Sequence, residues 1–320
     1  MKKVLIIGGA GFIGYHLSKK FLKKKYKVYV LDNFSRKHTD IEIKNLRKNK
    51  NYNLIKGDIL KFNSIKKKIH YDYSFIINLA AILGVNNVIN NSYDVMYKNV
   101  LINHFALQIA KQQKKLKKFI FFSTSEVYAG SVKNNLIKFP TKENNLISLV
   151  ELKNKRQTYM ISKIYGEIMC FQSQLPILII RPHNFFGPRM GKSHVIPELL
   201  SKLNTKTKNF FLKNGHHERT FCYIDDAIEI IFFLIVNKNK KIVYNVGQQK
   251  PILTILRLAK KINKLFFKKK NIKTEKKNFD YSPIKRCPDI SSIKKEIKNF
   301  PNTNLDIALS KTFLWYKKYL

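Results

Sequence analysis

Tyr159 and Lys163 stand four residues apart in the run Thr158-Tyr159-Met160-Ile161-Ser162-Lys163. On a helix that spacing puts both side chains on one face, one turn apart. An ammonium beside a phenol favours the phenolate and draws its pKa down from about ten towards neutrality. Tyr159 is thereby a candidate general base. A second reactive stretch, Ser123-Thr124-Ser125-Glu126-Val127-Tyr128, follows the apolar run Phe119 to Phe122, so hydroxyls and a carboxylate gather at a strand end. The third lies near the start, where Gly8, Gly11 and Gly14 follow the apolar run Val4 to Ile7. Glycines there remove the side chains that would block a phosphate, and a helix N-terminus behind them supplies free N–H donors. A pyrophosphate fits such a turn.

The elements that must position these groups read as strands alternating with helices. Ile13, Leu17 and Phe21 recur at helical spacing behind the glycines. The run Val28 to Leu31 ends in Asp32, where an acid is expected to accept from ribose hydroxyls and to repel a 2′-phosphate. This favours NAD over NADP, although Arg36 and Lys37 nearby oppose the preference. Asp58 ends a further strand at Gly57-Asp58-Ile59 and suits an adenine amine or a helix N-cap before Ile59–Ile69. The residues from Asn33 to Lys50 show no strong period. Phe75 to Asn78 form the next strand, and the small residues of Leu79-Ala80-Ala81 let backbone approach a cofactor. A helix is expected over Asp94–Lys115, apolar on more than one side and so available to a second subunit. The stretch Ser131–Gln157 has no period and reads as a flap. Asp225 and Asp226 read as capping acids, and Ile242 to Val246 as a strand that rejoins the first sheet.

This alternation predicts an α/β fold, a doubly wound parallel sheet of the Rossmann type with a smaller, interleaved C-terminal lobe. The expected division is residues 1–180 for the dinucleotide domain and residues 181–320 for the substrate lobe. With 320 residues, 44% of them apolar, the chain can bury a large core. No run of eighteen apolar residues offers a transmembrane helix, and the four apolar residues after Lys3 are too few for an export signal. Cys170, Cys222 and Cys287 have no metal-binding spacing, which indicates reduced thiols, a cytoplasmic location and no metal. The net charge of +42 comes from 54 lysines against eight arginines. Dispersed lysines without interleaved arginines and aromatics describe solvated faces rather than a nucleic-acid groove.

Taken together, Gly8-x-x-Gly11-x-x-Gly14, Asp32, Asn78-Leu79-Ala80-Ala81, Ser123 to Tyr128, Tyr159-x-x-x-Lys163, Arg181-Pro182-His183-Asn184 and Arg219-Thr220-Phe221 resemble the extended short-chain dehydrogenase/reductases. More narrowly, the chain resembles their NAD-dependent epimerase/dehydratase family, which acts on nucleotide sugars. The resemblance implies NAD contacts at Gly8, Gly11, Phe12, Ile13, Gly14, Asp32, Asn33, Asp58, Ile59, Leu79, Ala80, Ala81, Asn99, Tyr159 and Lys163. It implies that Tyr159 takes the proton of the sugar C4 hydroxyl while Thr124 bonds the same oxygen and Lys163 holds the nicotinamide ribose. Glu126 is the further catalytic candidate; Ser125, Asn184, Arg219 and Arg286 are the substrate-binding ones. A homodimer through the helices containing Asp94 and Thr158 is also implied.

The reaction subtype is open between 4-epimerisation and decarboxylation of a UDP-glucuronate-type sugar. Thr124-Ser125-Glu126 and Arg286-Cys287-Pro288 resemble the decarboxylases, although Ala129 stands where those usually have glycine. Dehydration ranks third, because 4,6-dehydratases resemble Thr-Asp-Glu and Ser125 replaces the acid. A non-catalytic NAD- or nucleic-acid-binding protein is the remote alternative.

Overall fold

The computed structural model describes residues 1–36, 41–205, 207–267, 270–275 and 283–319. Lys37 lies outside them. In chain order the elements begin β1 (Lys3–Ile7), α1 (Phe12–Lys23), β2 (Lys27–Asp32), α2 (Ile41–Arg47), β3 (Tyr52–Lys56), α3 (Phe62–Ile65) and β4 (Phe75–Asn78). They continue through α4 (Val85–Asn90), α5 (Ser92–Lys111), β5 (Lys118–Phe122), α6 (Ala129–Lys133), α7 (Gln157–Phe171) and β6 (Ile177–Pro182). Next come β7 (Phe185–Phe186), α8 (Val195–Leu203), β8 (Asn209–Lys213), β9 (Glu218–Arg219), β10 (Cys222–Tyr223), α9 (Ile224–Val236) and β11 (Val243–Val246). The chain closes with β12 (Leu253–Thr254), α10 (Ile255–Ile262), β13 (Asn271–Glu275), β14 (Lys285–Arg286), α11 (Ser291–Lys294) and α12 (Leu305–Tyr316).

Two compact units form from interleaved segments. The first holds Met1–Val127, Leu149–Arg181 and Ile228–Tyr244; the second holds Tyr128–Ser148, Pro182–Ala227 and Asn245–Leu320. The units interleave: Leu149–Arg181 and Ile228–Tyr244 belong to the first, and Tyr128–Ser148 to the second. Ile228–Tyr244 returns to the first unit because α9 and the start of β11 are apolar enough to need its sheet.

The first unit is built on a seven-stranded sheet in the order β11-β6-β5-β4-β1-β2-β3. The registers from β3 through β6 are parallel, with Val4 facing Val28 on one side and Phe75 on the other. Strand order reverses between β1 and β4, so the binding crevice of the sheet lies beyond their carboxyl ends. Val4 to Ile7 are wholly buried, as a strand covered by helices on both faces requires. Helix α7 sits close on β5 at Gly166, where a Cβ would lie 2.5 Å from the Phe121 ring. Asn103 ties the layers together: it accepts from Asn78 at 3.1 Å and donates to the Gly166 carbonyl at 3.2 Å.

In the second unit, β9 lies between β12 and β14. Strands β8 and β13 pair in parallel, as do β7 and β10. Thr141 donates its N–H to Cys287 O and accepts from Asp289 N, both at 2.8 Å. The stretch expected to be a flap therefore begins as helix α6 and is strapped down at Thr141 within this unit. The expected helix over 59–69 is instead α3 followed by a 3₁₀ turn at Lys66–Lys68. The long helix starts at Ser92 and ends at Lys111. Among the described residues no helix is long and apolar enough to cross a membrane, and no group of three or more His, Cys, Asp or Glu could hold a metal ion.

Candidate active site

The glycine turn is held from both sides. Gly8 has φ +76°, a left-handed conformation that glycine adopts without strain. A Cβ on Gly8 would lie 2.8 Å from Ala80 N, and one on Gly14 would lie 2.5 Å from Gly9 Cα. The bare backbone that a pyrophosphate needs is thus also what the packing of α1 on β1 needs. Asp32 accepts from Ala10 N at 2.9 Å through one carboxylate oxygen and from Phe34 N at 2.8 Å through the other. It pins the turn. The first-turn amides of Phe12, Ile13 and Gly14 have no acceptor within the helix.

Past the ends of β2 and β3 the structure brings Asn33 and Asp58 together. Asn33 donates to Asp58 at 3.1 Å, and the other Asp58 oxygen accepts from Leu60 N at 3.0 Å. Ile59 is buried in the core, so only its backbone is available to a ligand. Leu79 continues the sheet through its N–H to Ile7 O at 2.9 Å. Asn99 spends its amide on Ile82, accepting at 2.7 Å and donating at 3.0 Å; it shapes the loop after Ala80 and Ala81.

Beyond β5, Thr124, Glu126 and Tyr159 converge. The Thr124 hydroxyl lies where it favours ionisation of the Tyr159 phenol, and it accepts from Glu126 N at 3.2 Å. Ser125 is buried at the start of a 3₁₀ turn over Ser125–Tyr128. Lys163 is buried too, and its ammonium donates to Phe122 O at 2.8 Å, with Nζ 6.0 Å from the centre of the Tyr159 ring. Here the structure corrects the sequence reading. The phenol is not drawn towards neutrality by Lys163; burial first, and the Glu126 carboxylate second, push it up to about 12. The Thr124 hydroxyl and the charge of Arg36 work against that rise. Desolvation also pulls Lys163 down to about 8. An ammonium committed to a carbonyl and itself starved of water is a weak lever on a neighbouring phenol.

Three residues escaped the sequence reading in these roles. Arg36, expected only to weaken the preference for NAD over NADP, acts on the Tyr159 phenol and donates to Ala81 O at 3.4 Å. Glu167 and Arg181 form a buried ion pair at 2.6 Å. The spacing Lys163-x-x-x-Glu167 was the available signal.

In the second unit Arg219 and Arg286 face each other in the β9–β14 register. Opposed cations on neighbouring strands repel, so the pair makes a strongly positive patch. Beside it His217 is driven down to about 4 by burial, by both arginines and by His216. The Arg219 guanidinium donates to the carbonyls of Glu218, Ile284 and Pro283 at 2.8, 2.9 and 2.6 Å. It is buried and braces the two strands. Asn184, at φ +46°, donates to Thr220 O at 2.9 Å.

A parallel sheet with a glycine turn at its switch point, and a tyrosine–lysine pair beside a threonine, defines a dinucleotide-dependent enzyme of the short-chain dehydrogenase type. Residues 4–247 match the NAD dependent epimerase/dehydratase family, and the chain belongs to it. Among relatives, the UDP-N-acetyl-alpha-D-glucosaminuronate decarboxylase of Bacillus cytotoxicus is 28% identical over 333 residues, covering 99% of this chain and 98% of that one. The dTDP-D-glucose 4,6-dehydratase of Dictyostelium discoideum is 31% identical over 276 residues, 82% of this chain and 62% of its own. The crystal structure of UDP-glucuronic acid 4-epimerase from Bacillus cereus, solved with UDP-glucuronic acid and NAD, superposes with a TM-score of 0.84 at 26% identity, covering 99% of this chain and all of that one.

Proposed function

We propose that this enzyme oxidises the C4 hydroxyl of a nucleoside-diphosphate hexuronate and that 4-epimerisation or decarboxylation follows. The observation that carries the reading is the convergence of Thr124, Glu126 and Tyr159 beyond the carboxyl end of β5, with Lys163 one helical turn from Tyr159. Two of the relatives that match over almost the whole chain are named for uronate sugars, which supports that substrate class, while others that match as fully are dTDP-D-glucose 4,6-dehydratases. Dehydration is supported by the dTDP-D-glucose relative, yet Ser125 offers no acid beside Thr124.

The turn fits NAD: a side chain at Gly8 or Gly14 would fill the cradle, and Asp32 offers carboxylate oxygens at the ribose position. Bound NAD supplies the hydride-accepting capacity that the oxidation requires. The chain's own groups manage the proton. Thr124 and Tyr159 present their oxygens to one substrate hydroxyl, and Tyr159, ionised to phenolate, takes its proton. Lys163, held by Phe122 O, is placed for the ribose on the same helix face. Glu126 puts a carboxylate beside the phenol and is available to the carbon next to the new ketone. Asn184, Arg219 and Arg286 are assigned to the nucleoside diphosphate, with Arg219 bracing the strand and Arg286 opposite it. The thiols are free and buried, which supports a cytoplasmic location. A homodimer is supported by Tyr93 and Tyr97 on α5 and by Tyr165, Ile168 and Phe171 on α7, all exposed.

Incubation with UDP-glucuronate, UDP-N-acetylglucosaminuronate and dTDP-glucose, followed by mass spectrometry, tests the reading. Loss of carbon dioxide marks decarboxylation, and an unchanged mass with a new retention time marks epimerisation. Tyr159→Phe is expected to retain NAD and lose about 10²–10⁴-fold in turnover. Turnover of dTDP-glucose alone, with loss of water, would overturn the uronate assignment.

A further inference from the structure

Beneath the Tyr159–Lys163 pair lies a cluster to which the chemistry above gives no task. The Ser123 hydroxyl donates to Glu167 Oε1, the same oxygen accepts from Arg181 Nε at 2.9 Å, and Oε2 accepts from Arg181 at 2.6 Å. The Glu167 and Arg181 side chains are each 5% exposed. A buried pair of this kind returns little net stability, because desolvation of both charges offsets their attraction. Its place is more informative than its strength. Glu167 is one turn along α7 from Lys163, on the same face. Ser123 adjoins both Phe122, whose carbonyl takes the Lys163 proton donor, and Thr124. One carboxylate thus touches the strand end that carries Thr124 and faces the helix turn that carries Lys163.

We propose that Glu167 is a positioning residue: clamped by Arg181 and Ser123, its carboxylate holds the Lys163 ammonium charged and aimed at Phe122 O while fixing the β5 end beneath Thr124. The groups around Lys163 are few. From its own helix come Tyr159, Glu167 and Cys170, the last a neutral thiol pushed up to about 12 by burial. From β5 come the Phe122 carbonyl and the Phe121 ring, whose centre is 4.9 Å from Nζ. Arg181 of β6 acts through Glu167, and Asn103 of α5 acts through Cys170. The ammonium is already pulled down to about 8 by desolvation, with Glu167 opposing that fall.

The inference rests on the role given to Lys163 above, but its test needs no substrate. In protein carrying ¹³Cε-lysine, the Lys163 resonance is identified by its loss in Lys163→Arg and titrated by NMR. Glu167→Gln is expected to lower the Lys163 midpoint by about one pH unit. Arg181→Gln, which leaves the carboxylate without its cation, is expected to raise it. Glu167→Asp should return the midpoint towards the parent value. Opposite shifts in the two Gln variants are what a purely structural pair would not give. A midpoint in folded Glu167→Gln that matches the parent overturns the proposal; if that variant does not fold, an unmoved midpoint in Arg181→Gln does so. Shifts of the expected sign in an enzyme inactive on every uronate would leave the positioning role standing and sink the substrate reading instead.

Discussion

Neutralising Glu126 isolates its effect on the base. Burial and this carboxylate, in that order, lift the Tyr159 phenol, whereas Thr124 and Arg36 lower it. In Glu126→Gln the burial contribution stays and the like-charge one goes, so the phenol becomes easier to ionise. Activity that depends on phenolate rises with pH through the pKa of the base, so the rising limb should move to lower pH. A displacement of about half a unit in log kcat/KM against pH is expected, with a lower plateau if Glu126 also serves the carbon beside the ketone. A limb that stays in place would show that another group sets it. Tyr159 also marks a boundary of sequence reading. Its partnership with Lys163 along the helix is legible from spacing, but the sign of its pKa shift depends on desolvation and on Glu126, which only the folded chain brings to it.

At the scale of elements, the β1 turn is the tightest constraint near the site. A methyl group at Gly14 would meet the backbone of Gly9 at 2.5 Å, and backbone cannot rotate out of the way as a side chain can. Gly14→Ala is therefore expected to cost about 1–3 kcal/mol in urea unfolding and to weaken NAD binding through the displaced first turn of α1. Calorimetric titration of NAD beside a denaturation curve checks both, and unaltered values in the two would show that α1 can shift. The turn, the sheet strands and α7 were legible because buried strands are continuous apolar runs and glycines punctuate them. The short helix α2 was not. It is seven residues long with Ile43 as its buried anchor, too few positions to display a period. Strands β8 and β13, Asn209–Lys213 and Asn271–Glu275, were equally silent, since both are short and mostly exposed. The Glu167–Arg181 pair was hidden for the opposite reason: charged residues suggest surface, and only the complementary partner makes their burial tolerable.

For the whole molecule, the composition points two ways. A net charge of +42 keeps copies of the chain apart at low salt, yet α5 and α7 carry aromatic and aliphatic groups in water. Tyr93 and Tyr97 stack with centroids 6.0 Å apart and are 71% and 51% exposed. On α7, Tyr165, Ile168 and Phe171 are each about half exposed, while the opposite face of that helix packs on β5. These two helices also carry Asn99, Tyr159 and Lys163, so a partner copy seated on their outer faces would stiffen the elements that hold the site. A dimer in sedimentation velocity is expected, weakened by falling ionic strength because like-charged copies repel over a longer screening length. Ile168→Glu places a carboxylate on the proposed face without touching Tyr159 or Lys163. It should give monomers with NAD affinity near that of the parent and reduced thermal stability. A monomeric parent at micromolar concentration and physiological salt would remove the dimer, leaving the exposed aromatics of α5 and α7 in need of another partner.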